Sequence, residues 1–243
     1  MKGRYASYQR LNVETLADGV LGITLDGPGR MNAVDATMHG ELASIWRDVD
    51  DDPEIAVAVV TGAGEAFSAG GDFDLLDELA ADNAARVAAL HDARGLVRNM
   101  LDCSKPVVSA INGPAIGAGL ACALLADIPI AAREALIIDG HARLGVVAGD
   151  HAAIIWPLLC GIAKAKYYLL SGEPMTGEEA ERIGLVALAV DRADLAATAT
   201  EVATRLARGS AGAIRGTKYV LNHWLRAMGP TFDASLGLEL LGF

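Results

Sequence analysis

Two short stretches of small residues constrain this chain more than anything else in it. One is 67–72, FSAGGD; the other is 112–121, NGPAIGAGLA. Each follows an apolar run that reads as a strand, Val57–Val60 before the first and Val107–Ile111 before the second. Each then opens a predicted helix. A strand-to-helix turn of glycine and alanine leaves backbone N–H groups uncovered at a helix N-terminus, where they attract a negative oxygen. Two such turns aimed at one point make an oxyanion hole. Small residues are required because a larger side chain would block a ligand from the backbone. The competing reading is that both turns merely allow tight strand–helix packing.

The pattern along the chain predicts an α/β fold. Val13–Leu25 alternates around Asp18-Gly19, a hairpin signal. Asp35 fits the N-cap of a helix to about Val49, with Met38, Leu42, Ile45 and Trp46 on one face. A strand over 56–61 follows, then a helix over 75–100 interrupted near Asp82-Asn83. The second turn opens a helix over 117–125. Strands are expected over 127–132, 135–139 and 185–190. Helical pieces cover 152–160 and 163–170, and a third is capped by Thr176 with Glu179 completing a capping box. From Leu195 the chain reads as helical, with breaks at 208–212 and at Gly229-Pro230. Alternation of strands and helices is the α/β signature.

Bulk properties exclude some function classes. With 243 residues, one substantial core can form. The net charge of −11 opposes nonspecific nucleic-acid binding. The hydrophobic fraction of 52 % is spread through the chain, and no charge-free apolar run of membrane-spanning length is evident. The N-terminus lacks a secretory-signal core, and Cys103, Cys122 and Cys160 lack metal-ligand spacing. A cytoplasmic protein with reduced cysteines, and with no metal, membrane or nucleic-acid partner, is the expectation.

Proton-carrying groups concentrate in 137–161, IIDGHARLGVVAGDHAAIIWPLLCG, which holds Asp139, His141, Asp150 and His151. Histidine titrates near neutrality, and a carboxylate orients it and stabilises its charged form. His141 with Asp150 is the candidate catalytic pair. The plainer readings are a loop histidine, an N-cap for Asp150, and a first-turn helix position for His151. Asp139 and Glu239 are the reserve candidates. His39, His91 and His223 fall on helical segments and are assigned structural roles.

The two turns in this order, with 29–33 (GRMNA) before them and 176–186 (TGEEAERIGLV) after, resemble the crotonase (enoyl-CoA hydratase/isomerase) superfamily. The resemblance implies an α/β core of repeated ββα turns over residues 1–194. It also implies a C-terminal helical region, 195–243, that packs in a homotrimer or a dimer of trimers. By motif position it makes the backbone N–H groups of Gly71 and Ala118 the oxyanion donors, and it implies an acyl-CoA thioester or ketone substrate, coenzyme A entering as part of the substrate with no separate cofactor, and CoA contacts at Arg30, Ala69 and Lys218. The hydratases of the family use two glutamates. Their positions fall here at Ala121 and near His141, so two-glutamate hydration is not expected. The nine-residue step from His141 to Asp150, followed by Trp156-Pro157, resembles the β-diketone hydrolase branch, of the 6-oxocamphor hydrolase type. Those enzymes cleave a C–C bond beside a carbonyl with water, a histidine and an aspartate. Three readings stand: an acyl-CoA enzyme working through an enolate, a CoA-independent β-diketone hydrolase, and a non-catalytic acyl-CoA-binding homologue.

Overall fold

A computed structural model describes residues 3–27 and 30–243. The chain begins with a hairpin of β1 (Leu11–Ala17) and β2 (Val20–Leu25), turned by Asp18 and Gly19. Helix α1 (Ala36–Asp51) follows, and Asp35 caps it by accepting from Met38 N at 2.8 Å. A side-chain cap of this kind is worth about 1 kcal/mol. The next strand, β3 (Val57–Gly62), leads through the first small-residue turn to α2 (Phe73–Ala81) and α3 (Asn83–Asp102). Asp82 is both the last cap of α2 and the N-cap of α3, so the expected interruption sits where that acid stands. β4 (Val107–Ile111), β5 (Ala115–Ile116) and α4 (Gly117–Leu125) carry the second turn.

β6 (Ile128–Ala132) and β7 (Leu136–Ile138) precede the one-turn α5 (His141–Leu144). α6 (Ala152–Ser171) contains Pro157 and breaks at Gly161, whose φ is +76°. The two helical pieces expected there are therefore one element with a kink. By length and composition this is one helix apolar enough to cross a membrane, though only 28 % of its apolar window is buried in this chain. β8 (Met175–Thr176), α7 (Gly177–Ile183) and β9 (Leu188–Val190) come next. Three helices, α8 (Arg192–Ala207), α9 (Ala211–Ala227) and α10 (Gly229–Leu240), complete the chain.

The main sheet runs β1-β2-β3-β4-β6-β9, with every pairing parallel except the opening hairpin. A second sheet, β5-β7-β8, stands beside it. β3 and β4 are buried along most of their length, as parallel strands covered on both faces must be. One face carries α8, packed on β3, β4 and β6. That helix crosses the boundary at residue 194, so the first of the C-terminal helices belongs to the sheet. Trp46, Phe67 and Trp156 are fully buried in the core.

The capping box at Thr176 is half formed. Thr176 Oγ1 accepts from Glu179 N at 3.2 Å. The Glu179 carboxylate turns away to Arg182 and to Tyr168 Oη instead, because two donors outbid one backbone amide.

Candidate active site

The two turns meet. Gly70 and Gly117 adopt left-handed φ of +86° and +53°, and a Cβ on Gly117 would lie 3.3 Å from Gly70 Cα. At Gly119 a Cβ would fall 2.2 Å from Ser68 Cβ, so only glycine lets α4 approach the first turn this closely. Ser68 is buried beneath the pair; its hydroxyl donates to Asn32 O at 2.8 Å and accepts from Gly70 N at 3.2 Å.

Strand geometry then sets the direction of the amides. Val34 N donates to Gly70 O at 2.8 Å, and Asp72 N donates to Val34 O at 3.0 Å. In a parallel bridge this uses the groups on either side of Gly71 and turns Gly71 N–H the other way. Ala118 lies in the first turn of α4, whose N-terminus has no side-chain cap. Neither N–H donates to a protein acceptor among the described residues.

Both residues line one cavity of about 100 Å³. Its apolar wall comes from Leu75, Leu76 and Leu79 of α2, Ala89 and Ala93 of α3, Leu144, and Leu236, Leu240 and Phe243 at the C-terminal end. Its polar wall is His39, His141, Asp150 and Glu239. A larger open groove of about 590 Å³ lies between α6 and α9, lined mainly by leucines, isoleucines and Trp224. Its lining holds none of these proton carriers, so the chemistry belongs to the smaller cavity.

His141 opens α5 directly after β7. Its Nδ1 lies 3.0 Å from Asp139 Oδ1, and its Nε2 lies 3.4 Å from Glu239 Oε1 and 3.6 Å from Asp150 Oδ1. Burial opposes a charge on this ring. The attraction of Asp150, with hydrogen bonds to Asp139 and Glu239, overcomes it and lifts the pKa to about 11. His141 is therefore an imidazolium at neutral pH.

Asp150 does not cap α6. The N-cap is His151, which makes no capping bond through its side chain. His151, fully buried, instead bonds Asp150 Oδ1 through Nδ1. Burial pushes the Asp150 carboxyl up, but His151 and His141 dominate and hold it well below the usual carboxylate range. Glu239 is moved the other way: burial raises its pKa, with Asp150 adding to the effect and His141 opposing it. Its Oε2 is buried and unpartnered.

Gly149 is what brings α10 to this point. A Cβ there would lie 2.3 Å from Ser235 O and 2.7 Å from Glu239 Cβ. Ser235 Oγ instead donates to Gly149 O at 2.9 Å and clamps the helix in place. His39, on α1, is also in the wall, with Nδ1 3.9 Å from Asp92; burial lowers its pKa and keeps it neutral.

The structure thus assembles Gly71, Ala118, His141 and Asp150, and adds Glu239 and His39. Ala121 is buried in α4 and carries no group able to move a proton. Ala69 is half-buried beside the first turn, its N–H donating to Met31 O. Lys218 is elsewhere: its ammonium is buried and held by Asp127 at 2.8 Å and by Lys105 O at 2.9 Å. Two of the three ammonium donors are thus spent inside the protein. The Arg30 side chain lies outside the described part of the structure.

Comparison with known proteins fits this geometry. The enoyl-CoA hydratase/isomerase family model matches residues 15–234. The chain is 34 % identical over 225 residues to 1,2-epoxyphenylacetyl-CoA isomerase of Escherichia coli, covering 91 % of this chain and 84 % of that one. It superposes on an enoyl-CoA hydratase/isomerase from Mycobacterium paratuberculosis with a TM-score of 0.91 and 38 % identity, covering 96 % and 93 % of the two chains. A β-diketone hydrolase from the cyanobacterium Anabaena, bound to (S)-3-oxocyclohexyl acetic acid, gives a TM-score of 0.91 at 26 % identity, covering 100 % and 97 %. Fold and site define an enzyme of the crotonase superfamily. The chain belongs to the enoyl-CoA hydratase/isomerase family.

Proposed function

We propose that the chain acts on an acyl-CoA thioester through an enolate whose oxygen is held by Gly71 N–H and Ala118 N–H. The observation that carries this reading is the single cavity in which two uncommitted amides face three clustered proton carriers. Glu239 takes the α-proton through its unpartnered Oε2, and the C–H electron pair moves onto the thioester oxygen between the amides. His141 returns a proton to carbon from Nε2. Asp150 stays ionised and keeps His141 charged. Burial raises the pKa of Glu239 and makes it the stronger base, while Asp150 is held well below the usual carboxylate range; environments that set two acids apart divide the work as paired acids do elsewhere. No separate cofactor is required; coenzyme A enters with the substrate. With Lys218 engaged internally, Ala69 and Arg30 remain the positions for CoA contact.

A second reading is a CoA-independent β-diketone hydrolase. It is favoured by the His141–Asp150–Glu239 cluster, by the small size of the cavity and by the full-length likeness to the Anabaena enzyme. Water adds to one carbonyl carbon and gives its proton to Glu239. The C–C bond breaks, its electrons form the enolate of the other carbonyl at the two amides, and His141 protonates the carbon. Deuterium uptake at C2 of butyryl-CoA in D2O, followed by NMR, supports the first reading. Acid release from a 2,2-disubstituted cyclohexane-1,3-dione without CoA supports the second. Inertness to both would leave the third, non-catalytic reading.

The assembly inferred is a homotrimer or a dimer of trimers. Its support is the outward face of α6 and α9, where Ile162, Tyr219, Val220, Leu221 and Trp224 are all more than half exposed in the single chain.

A further inference from the structure

We propose that His141, Asp150 and Glu239 form a binding site for one zinc-class divalent cation, which displaces the catalytic proton and switches off the proton transfers. The proposal rests on the functional reading above only in treating these residues as proton carriers; the binding itself does not depend on it.

The spacing carries the argument. Zinc bonds to histidine nitrogen and carboxylate oxygen are about 2.1 Å, so a tetrahedral ion sets its ligand atoms about 3.4 Å apart. His141 Nε2 lies 3.4 Å from Glu239 Oε1 and 3.6 Å from Asp150 Oδ1, and one ligand atom from each residue lies within 4.8 Å of the others. The three are therefore near the corners of one coordination sphere without rearrangement of the backbone.

Two further features suit a cation better than a proton alone. Two of the ligands are oriented by neighbours: Asp139 meets His141 at Nδ1, the nitrogen away from the site, and His151 bonds Asp150 Oδ1, the oxygen that also faces His141. A carboxylate on the far nitrogen fixes the ring's orientation and raises its basicity toward a metal. In addition, Glu239 Oε2 is buried with no hydrogen-bond partner, an acceptor left without a donor. The carboxyl groups of Asp139, Asp150 and Glu239 all lie within 3.6 Å of the one imidazole ring of His141. On loading, the ion takes the place of the Nε2 proton, which is released to solvent. All three residues line the cavity that Gly71 and Ala118 also line.

The test uses the full chain freed of metal by a chelator and then dialysed. Isothermal titration with Zn²⁺ should give one ion per chain. Glu239→Gln should weaken binding at least tenfold, and His141→Ala should remove it. Asp139→Asn should weaken it about 10- to 100-fold, as loss of an outer partner does. Co²⁺ in place of Zn²⁺ should give the intense visible absorption of a tetrahedral site, without the near-ultraviolet band of thiolate ligation. Circular dichroism confirms that each variant is folded. No stoichiometric binding, binding unchanged in folded Glu239→Gln, or a thiolate spectrum that places the ion on cysteine would each overturn the proposal. Zinc binding by a chain that exchanges no α-protons when metal-free would sustain the site and refute the enolate reading. Exchange without zinc binding would do the reverse.

Discussion

Gly71 and Ala118 are offered for their backbones, so the substitution that tests them must remove an N–H and little else. Ala118→Pro does so, because proline is tolerated in the first turn of a helix. It should lower kcat by about 10² to 10³ while the fold survives, the usual cost of one oxyanion donor. A kcat within twofold of the parent would show that the amide is not used. His141→Ala and Asp150→Asn should each cost about 10² to 10⁴ in kcat. The double variant should lose little more than the worse single one, since residues acting as a unit are not additive. If kcat holds in Asp150→Asn while Tm falls, Asp150 is a structural acid only.

These residues were unequally legible in the sequence. Gly71 and Ala118 could be placed because their role is local: a strand, a small-residue turn and a helix start announce themselves within a dozen residues. His141 and Asp150 share one segment and were found as a pair. The sequence offers Glu239 only as a reserve and assigns His39 a structural role. Both reach the cavity through tertiary packing of distant helices, which no local pattern encodes. The internal pairing of Lys218 is equally invisible in the sequence, since its partner Asp127 is far away along the chain and close in space.

At the scale of elements, close approach sets the site, and glycine permits it. Gly149→Ala would drive a methyl into Ser235 O and Glu239 Cβ and push α10 away from Asp150. The expected result is a loss of activity larger than the loss of Tm, because overpacking costs about 1–3 kcal/mol while misplacing a proton carrier by an ångström costs orders of magnitude. Differential scanning calorimetry beside steady-state kinetics would separate the two. Most helix and strand positions were legible from periodicity and caps. The short β5 and β8 and the one-turn α5 were not, being two to four residues long and shaped by neighbours rather than by their own sequence.

Helix α7 offers a pH test. The hydrogen bonds from Arg182 are the main cause of Glu179's low pKa, about 2 against the ordinary 4.5. A depressed folded-state pKa gives stability that is complete above about 4.5 and is lost as pH falls toward 2. Glu179→Gln should therefore lower Tm at pH 7, and the difference should shrink below about pH 4.5 and vanish only below about pH 2. A constant difference across that range would mean that packing, not charge, holds the carboxylate.

For the whole molecule, the open question is what covers α6 and α9. The chain carries a net charge of −11 yet exposes Ile162 on α6 and Val220, Leu221 and Trp224 on α9. An exposed apolar face of that kind marks an interaction surface. Sedimentation equilibrium should report three or six chains, and the pair Leu221→Asp with Trp224→Asp should shift the mass toward one. A parent chain that sediments as a monomer would refute the assembly.

The account depends on one point in space, between the two amides and opposite His141 and Glu239. A crystal structure of the chain soaked with acetoacetyl-CoA examines it directly. A carbonyl oxygen should lie within about 3.2 Å of both Gly71 N and Ala118 N. The carbon next to it should face Glu239 and His141. A ligand whose carbonyl oxygens meet neither amide, or whose reactive carbon lies in another cavity, would contradict the account.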